Sequence, residues 1–192
     1  SIVQGRDQGG LADILVSGRG SNLAALIEQL GGIVCVASDR AGAPALDIAA
    51  GHGIENAVFS AADYDDRVAR DVALADWLGA HGVRLVVTAG YMSLLSPEFI
   101  ARFRDRIVNV HPSLLPAFPG VRAIEQAIDA GVSETGVTVH LVDEGVDTGR
   151  VLLQEAVTIP PGATAEQLHA LLQPVEHRLL PQAVSGVAAG LG

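Results

Sequence analysis

The chain has 192 residues, of which 49% are hydrophobic, and its 22 acidic and 12 basic side chains give a formal net charge of −10. This length allows one domain with a sizeable core or at most two small ones, and the composition is that of a globular protein. Because no run of basic residues offsets the acidic charge, nucleic acid and anionic membranes are excluded as main partners. An anionic small molecule held by backbone N–H groups is not excluded.

All 12 basic residues are arginine, and without lysine neither a P-loop nor Schiff-base catalysis is available. The single cysteine, Cys35, lies in an apolar run and is predicted to be a small buried side chain. No disulfide can form within the chain, and no signal peptide or membrane span is visible, so we expect a cytoplasmic protein. Residues 1–10 are polar and glycine-rich. We expect them to be a flexible arm or a cloning remnant that precedes a single domain at 11–192.

Short β-branched segments alternate with helical patterns along the first two thirds of the chain. Buried strands are predicted at 13–17, 32–38, 56–59, 84–88 and 107–110. Helices are predicted at 21–30, 44–51 and 63–81, the last with Asp63 as its N-cap. Short apolar strands separated by helices are typical of a parallel sheet that is covered on both faces.

The pattern changes in the last third of the chain. Residues 135–142 alternate between two faces, and a glycine-rich turn separates them from a second strand at 151–159, so these strands are predicted to pair in antiparallel fashion. A closing helix is predicted over 164–180, with a kink at Pro174. The sequence therefore predicts a single doubly wound α/β domain, Rossmann-like and mostly parallel, with antiparallel strands toward the C-terminus.

The first candidate site is the segment SGRGSN at 17–22, directly between the first predicted strand and helix. Its glycines allow a ligand to approach the backbone, and Ser21 and Asn22 place N–H groups at a helix N-terminus, which suits a phosphate. Leu23 stands where the dinucleotide fingerprint has its third glycine, although Asp39 follows the second strand where a ribose-binding acid is expected. An ordinary tight turn is the alternative.

The second candidate site contains Asn109 and His111. They lie two residues apart at the carboxyl end of a predicted strand, so their side chains should share one face, and Pro112 ends the strand. Open α/β sheets bind ligands at this end. An amide beside an imidazole suits a carbonyl group that acquires negative charge during attack. A histidine with a purely structural role is the alternative.

The third candidate is Asp147, within the acidic and glycine-containing segment 143–149. In isolation such a segment is usually a solvated turn. It follows the strand that carries His140, however, and could fold over the same end of the sheet and orient the His111 ring with a carboxylate. A metal site built from His111, His140 and Asp147 is a further alternative, but the spacing matches no metal signature.

Four motifs together resemble the glycinamide ribonucleotide formyltransferases of the folate-dependent formyltransferase family. VSGRGSNL at 16–23 is similar to the phosphate loop of that family, and AGYMSLLS at 89–96 is similar to its folate loop. NVHPSLLP at 109–116 is similar to the signature of the wider family, and VHLVDEGVDTG at 139–149 resembles its catalytic aspartate loop. The match covers roughly residues 12–185. Arg122 and Arg150 depart from the pattern, since many relatives carry histidine near the first position and proline at the second.

The resemblance implies two small-molecule substrates and no metal, with the chain as a monomer or a homodimer. The phosphate of the ribonucleotide would be held by Gly20, Ser21 and Asn22, and Glu176 would contact the glycinamide portion. The co-substrate 10-formyltetrahydrofolate would be bound by Arg67, Met92, Ser93, Leu94, Leu95 and Asn109.

The resemblance also implies a catalytic role for three residues. Asn109 would polarise the formyl oxygen, His111 would supply the proton or positive charge, and Asp147 would pair with His111. In this reaction the substrate amine attacks the formyl carbon directly, so the protein needs no covalent nucleophile. It must stabilise a tetrahedral oxyanion and deliver a proton to the departing folate nitrogen.

Other functions remain open at this stage. Formyltetrahydrofolate hydrolase shares similar catalytic residues but carries an extra N-terminal domain. Methionyl-tRNA formyltransferase requires a C-terminal domain and a basic surface, which the acidic charge disfavours. A non-catalytic nucleotide-binding module would use the glycine loop and Asp39 without chemistry at His111.

Overall fold

The computed structural model describes residues 12–16, 20–91 and 93–191. The predicted arm at 1–10, residues 17–19 of the glycine loop and Met92 lie outside the described residues. Within the described part, seven strands form one sheet in the order β3-β2-β1-β4-β5-β6-β7. The strands are β1 Ala12–Val16, β2 Ile33–Ser38, β3 Glu55–Val58, β4 Leu85–Thr88, β5 Ile107–His111, β6 Glu134–Leu141 and β7 Val151–Thr158.

Strands β1 to β5 are parallel, and β6 and β7 join as antiparallel neighbours. The chain runs from β1 outward to β3, then returns to the other side of β1 with β4. The strand order therefore reverses between β1 and β4, and open sheets of this kind bind their ligands at the carboxyl ends of the strands flanking such a point. This confirms the predicted fold class.

Helices cover both faces of the sheet. They are α1 Ser21–Gln29, α2 Pro44–Gly51, α3 Arg67–Ala80, α4 Pro97–Arg102, α5 Ala123–Asp129 and α6 Ala165–Ala189. Buried residues of α1, α2, α5 and α6 pack with Leu85 and Val108 on one face. Those of α3 and α4 pack with the alternate strand residues Val86 and Ile107 on the other face. Two-sided burial of this kind requires the continuous apolar strands seen in the sequence.

The predicted N-cap of α3 is wrong. Asp63 ends a short 3-10 turn at Ala61–Asp63, and the chain is extended at Tyr64. The cap is Asp66, whose side chain accepts a hydrogen bond from the Ala69 N–H at 2.7 Å. Both Asp63 and Asp66 are acidic residues that can cap a helix, so the sequence alone does not distinguish them. The extended backbone at Tyr64 separates the 3-10 turn from α3.

The ends of the chain's later helices were also predicted incompletely. Helix α6 begins at a capping box formed by Thr164 and Gln167 but continues to Ala189, beyond the predicted end at 180. Pro174 and Pro181 both lie inside it, and buried residues such as Val184 continue its apolar face. Helices α4 and α5 were not predicted at all.

No helix in the described part of the chain is long and apolar enough to cross a membrane.

Candidate functional site

The end of β5 and the 143–149 turn bring Asn109, His111 and Asp147 together. Asp147 Oδ2 lies 3.5 Å from His111 Nδ1, and Asp147 Oδ1 lies 3.4 Å from His140 Nε2. His140 stands opposite Asn109 in the antiparallel pairing of β5 with β6, and its Nε2 is 3.2 Å from Asn109 Nδ2. One carboxylate therefore bridges two imidazoles, and the second imidazole contacts the amide.

The turn that carries Asp147 is closed by the backbone. The Leu141 N–H donates to the Arg150 carbonyl oxygen at 2.9 Å, which returns the chain to the end of β6. Gly149 passes so close to the Leu141 carbonyl that a Cβ atom would overlap it, so this return requires glycine. Asp147 itself has a positive φ of 53°, an uncommon conformation for a residue with a side chain. The segment is thus a fixed support for the carboxylate.

The ionisation of Asp147 follows from its surroundings. Burial alone would raise the pKa of this carboxyl. The hydrogen bond with His140, the bond from the Gly120 N–H at 2.6 Å and the charge of His111 act in the opposite sense. Together they hold the pKa of Asp147 below its usual value, so the side chain is a carboxylate at neutral pH.

His111 is buried and its ring is held on two sides. Its Nε2 lies 2.8 Å from the Phe118 carbonyl oxygen, and its Nδ1 faces the Asp147 carboxylate. Both ring nitrogens face hydrogen-bond acceptors. The orientation of the His111 ring is therefore fixed by the Phe118 carbonyl oxygen and the Asp147 carboxylate.

The Asn109 amide is oriented by its neighbours on two strands. The Thr88 hydroxyl on β4 donates to Asn109 Oδ1 at 2.9 Å, which turns the NH₂ group toward His140.

His140 was predicted from the sequence only as a possible metal ligand. The alternation of β6 already placed His140 on one face, but its position opposite Asn109 depends on the strand register, which the sequence does not specify. In the described part of the chain, no group of three or more His, Cys, Asp or Glu side chains is arranged to hold a metal ion.

The last residues of the glycine loop, from Gly20 to Asn22, form the N-terminus of α1. Gly20 is its N-cap with φ of 82°, and it has no side chain to accept from the N–H groups of the first turn, where Ser21 and Asn22 lie. A Cβ on Gly20 would lie 2.9 Å from Ala45 Cα, so glycine is required by packing as well as by conformation. Gly20 thus leaves the first turn of α1 without a side-chain cap, an arrangement that suits an anion.

Glu176 reaches this helix end from α6. Its Oε2 accepts a hydrogen bond from Asn22 Nδ2 at 3.2 Å, across 154 residues of sequence. Only 7% of Glu176 is exposed, and burial raises the pKa of its carboxyl although the Asn22 bond opposes the shift. Two residues that the resemblance assigned to one substrate are thus neighbours in space.

The raised pKa of Glu176 predicts a pH-dependent stability. The folded state binds this proton more tightly than the unfolded state, so the free energy of unfolding falls as the pH rises from about 4.5 through the raised pKa. We expect Glu176→Gln to be more stable than the wild type at pH 7, with the difference disappearing as the pH falls toward 4.5. Thermal unfolding between pH 4.5 and pH 8 measures this, since about 1 kcal/mol changes Tm by roughly 2–4 °C in a protein of this size.

The control for this experiment is Glu28→Gln, because Glu28 is an exposed glutamate on α1, the helix that packs against α6. Its stability should follow that of the wild type across the pH range. If Glu176→Gln were less stable than the wild type at pH 7, the burial of the charge would not be the dominant effect.

Among the predicted folate residues that the structure describes, Ser93, Leu94 and Leu95 follow the end of β4. Ser93 and Leu95 are partly buried and Leu94 is 62% exposed, while Arg67 is exposed in the first turn of α3. The Ser93 hydroxyl donates to Asp39 Oδ2 at 2.6 Å. Asp39, which the dinucleotide pattern suggested as a ribose-binding acid, is therefore engaged by the 93–96 loop.

The comparisons with known proteins agree with this architecture. Residues 13–184 match the family model described as formyl transferase. The chain is 42% identical over 180 residues to phosphoribosylglycinamide formyltransferase of Mycobacterium tuberculosis, covering 91% of this chain and 83% of the relative. It is 43% identical over 185 residues to the trifunctional purine biosynthetic protein adenosine-3 of Drosophila pseudoobscura pseudoobscura, covering 92% of this chain and 14% of the relative. The chain therefore spans about a seventh of the length of that trifunctional protein.

Solved structures give the same result. Glycinamide ribonucleotide transformylase 1 from Symbiobacterium toebii superimposes with a TM-score of 0.93 at 42% identity, covering 96% of this chain and 90% of that chain. Phosphoribosylglycinamide formyltransferase from Bacillus halodurans gives 0.90 at 39% identity, covering 95% and 97%. The resemblance inferred from the four sequence motifs is confirmed, and the chain belongs to the formyl transferase family.

Proposed function

We propose that the chain transfers the formyl group of 10-formyltetrahydrofolate to the amine of 5'-phosphoribosylglycinamide, a step of de novo purine biosynthesis. The main support is the arrangement at the carboxyl end of β5, where the partly buried Asp147 carboxylate lies beside His111 and His140, and His140 contacts the Asn109 amide. Relatives that carry this activity in their names match nearly the whole chain. The single buried Cys35 suits a reducing compartment, and the proposed location is the cytoplasm.

The proposed reaction begins with direct attack of the substrate amine on the formyl carbon. A C–N bond forms, and the formyl oxygen becomes an oxyanion. The amide of Asn109 has two N–H bonds, and its Nδ2 lies 3.2 Å from His140 Nε2 on one side. The N–H bond on the other side is the proposed donor to the oxyanion, and its direction is fixed because Thr88 holds Asn109 Oδ1.

His111 supplies positive charge to the same intermediate. Its two ring nitrogens face Phe118 O and Asp147, so the imidazolium is held in place without further rearrangement. When the bond between the formyl carbon and folate N10 breaks, N10 takes up one proton and the attacking amine has lost one. The net reaction therefore moves one proton from the amine to N10 and leaves the protein unchanged.

The proposed substrate contacts follow the two loops beside the strand-order reversal. The phosphate of the ribonucleotide binds at Gly20, Ser21 and Asn22, where the helix N-terminus favours an anion. Glu176, beside Asn22, contacts the glycinamide portion. The folate contacts are assigned to Arg67, to the loop 92–95 and to Asn109.

The experiment that tests this function is a transfer assay with 10-formyltetrahydrofolate, with and without 5'-phosphoribosylglycinamide. We expect tetrahydrofolate to form only when the ribonucleotide is present, and His111→Ala to lower the rate by at least about 100-fold. His52→Ala, which changes an exposed histidine at the end of α2, serves as the matched control and should retain the wild-type rate.

The other outcomes separate the alternatives. Tetrahydrofolate release regardless of the ribonucleotide would replace the transferase with a hydrolase. No folate turnover in the wild type, with retained binding of the ribonucleotide, would leave a nucleotide-binding module.

A further inference from the structure

A buried ion pair lies next to the loop assigned to folate. Arg70 and Asp71 are adjacent on α3, and they are 4% and 0% exposed. Arg70 donates from both Nε and Nη2 to Asp71 Oδ1, at 2.9 and 2.7 Å. Charged residues are almost never this deeply buried unless they are paired. Replacing a buried ion pair by apolar residues of similar volume often leaves stability unchanged or higher. A contribution to overall stability is therefore a weak explanation for this pair.

The remaining hydrogen-bonding capacity of the pair is directed at the 93–96 loop. Asp71 Oδ2 accepts the Ser96 N–H at 2.6 Å, and Arg70 Nη2 lies 3.4 Å from the Leu94 carbonyl oxygen. Ser96 is also the N-cap of α4, where its hydroxyl accepts from the Phe99 N–H. With Ser93 bonded to Asp39, the loop is attached to the protein at three of its four residues.

An apolar pair could fill the same space but would leave the Ser96 N–H and the Leu94 carbonyl without these partners. The ion pair thus fixes the backbone of the loop, while the Leu94 side chain stays 62% exposed. Arg67, which is also assigned to the folate, lies one turn before Arg70 on the same helix. The ion pair therefore links the helix that carries Arg67 to the loop.

We propose that Arg70 and Asp71 are positioning residues that hold the 93–96 loop in the conformation that binds the folate co-substrate. This inference rests on the proposed function for the identity of the ligand. The pair does not contact the reacting atoms in this scheme. It sets the affinity for 10-formyltetrahydrofolate and leaves the chemical step and the ribonucleotide site unaffected.

The test compares Asp71→Asn and Arg70→Lys with the wild type. Asparagine can keep one of the two acceptor roles of Asp71, and lysine keeps the charge of Arg70 but loses the forked geometry. We expect the KM for 10-formyltetrahydrofolate to rise about tenfold in each variant, since charge-assisted hydrogen bonds are lost. The expected kcat stays within about threefold of the wild type, and the KM for the ribonucleotide is unchanged.

An exposed ion pair between α3 and α4 offers a matched control. Arg102 on α4 donates to Asp76 on α3 at 2.7 Å, but both side chains are exposed. Asp76→Asn removes the charge of one partner of this exposed pair, and Arg102→Lys removes the forked geometry of the other. Neither change touches the loop, so both KM values should be unchanged.

Hydrogen exchange of the peptide covering 93–99 gives a readout that is independent of turnover. We expect faster exchange there in Asp71→Asn and Arg70→Lys, and wild-type exchange in the two control variants. If Asp71→Asn does not fold, Arg70→Lys decides alone, because it retains the positive charge beside Asp71.

Three results would overturn the proposal: unchanged exchange and unchanged KM values, equal rises in both KM values, or a loss confined to kcat. The proposed function is tested separately by wild-type turnover. Should the wild type lack turnover, that function fails, while the exchange rates still decide whether the pair holds the loop.

Discussion

Replacing Asp147 with asparagine should lower kcat for formyl transfer by about three orders of magnitude, within the range found for groups that manage protons and charge in a reaction. The carboxylate faces nitrogen atoms of two histidines and accepts the Gly120 N–H. An amide of the same shape can keep only one acceptor oxygen and must direct its NH₂ group at a ring nitrogen. The imidazolium of His111 then loses its counter-charge.

The measurement is kcat at saturating levels of both substrates, with Glu144→Gln as the control. Glu144 is an exposed acid in the same 143–149 turn, and its nearest charged partner is Arg104 at 3.9 Å. We expect Glu144→Gln to keep the wild-type kcat within about twofold, as is usual for surface substitutions. If Asp147→Asn lowered kcat no more than the control does, Asp147 would not take part in the reaction.

The stability of Asp147→Asn at different pH values tests the charge of Asp147 independently of turnover. Because the pKa of Asp147 is lowered in the folded state, its ionisation stabilises the fold above the usual aspartate value of 3.8. That contribution is lost as the pH falls through the lowered pKa. Asp147→Asn should therefore be less stable than the wild type at neutral pH, and the difference should shrink in strong acid.

The parts of the fold that were predictable are those in which burial dictates the pattern. Strands such as Leu85–Thr88 are buried throughout because helices cover both faces of the sheet. Helices α4 and α5, with 6 and 7 residues, are too short for the helical repeat to emerge from the sequence. Ser96 followed by Pro97 was the available signal for the start of α4.

Some residues of the candidate site were likewise predictable from the sequence, and others were not. Asn109 and His111 could be found because a strand end places alternate residues on one face. The position of Asp147 depends on a turn closed by Gly149 and Arg150, and that of His140 depends on strand register. Such long-range geometry is absent from local patterns. The residues offered Asp147 as a partner of His111 only as an alternative to a solvated turn, and the family resemblance favoured that pairing.

The Arg70–Asp71 pair was missed for a related reason. On a surface helix, adjacent charged residues usually indicate a solvated face, and nothing in the sequence of α3 marks these two as buried. Their burial follows from the packing of α4 and of the 93–96 loop against α3. The burial of these two charged residues therefore becomes visible only when the elements that pack against α3 are known.

Replacing Asn109 with alanine should lower kcat by about 100- to 1,000-fold, the loss found when one donor to an oxyanion is removed. The structure adds a graded test, because the Thr88 hydroxyl orients this amide. Thr88→Val removes the orienting bond but leaves the donor, so its kcat should fall by about tenfold, the value of one ordinary hydrogen bond. The KM for each substrate should change little in both variants, since the donor acts mainly on the transition state.

Asn56→Ala is the matched control, because Asn56 is exposed on β3 at the far edge of the sheet, and its kcat should equal that of the wild type. The relative losses of kcat in the three variants distinguish between the explanations. A large loss in Asn109→Ala with a smaller loss in Thr88→Val is expected if a correctly directed N–H bond stabilises the oxyanion. Equal losses in Thr88→Val and Asn109→Ala would mean that the amide only maintains the packing between β4 and β5. A wild-type kcat in Asn109→Ala would remove the amide from the reaction and leave the charge of His111 as the remaining stabilising group.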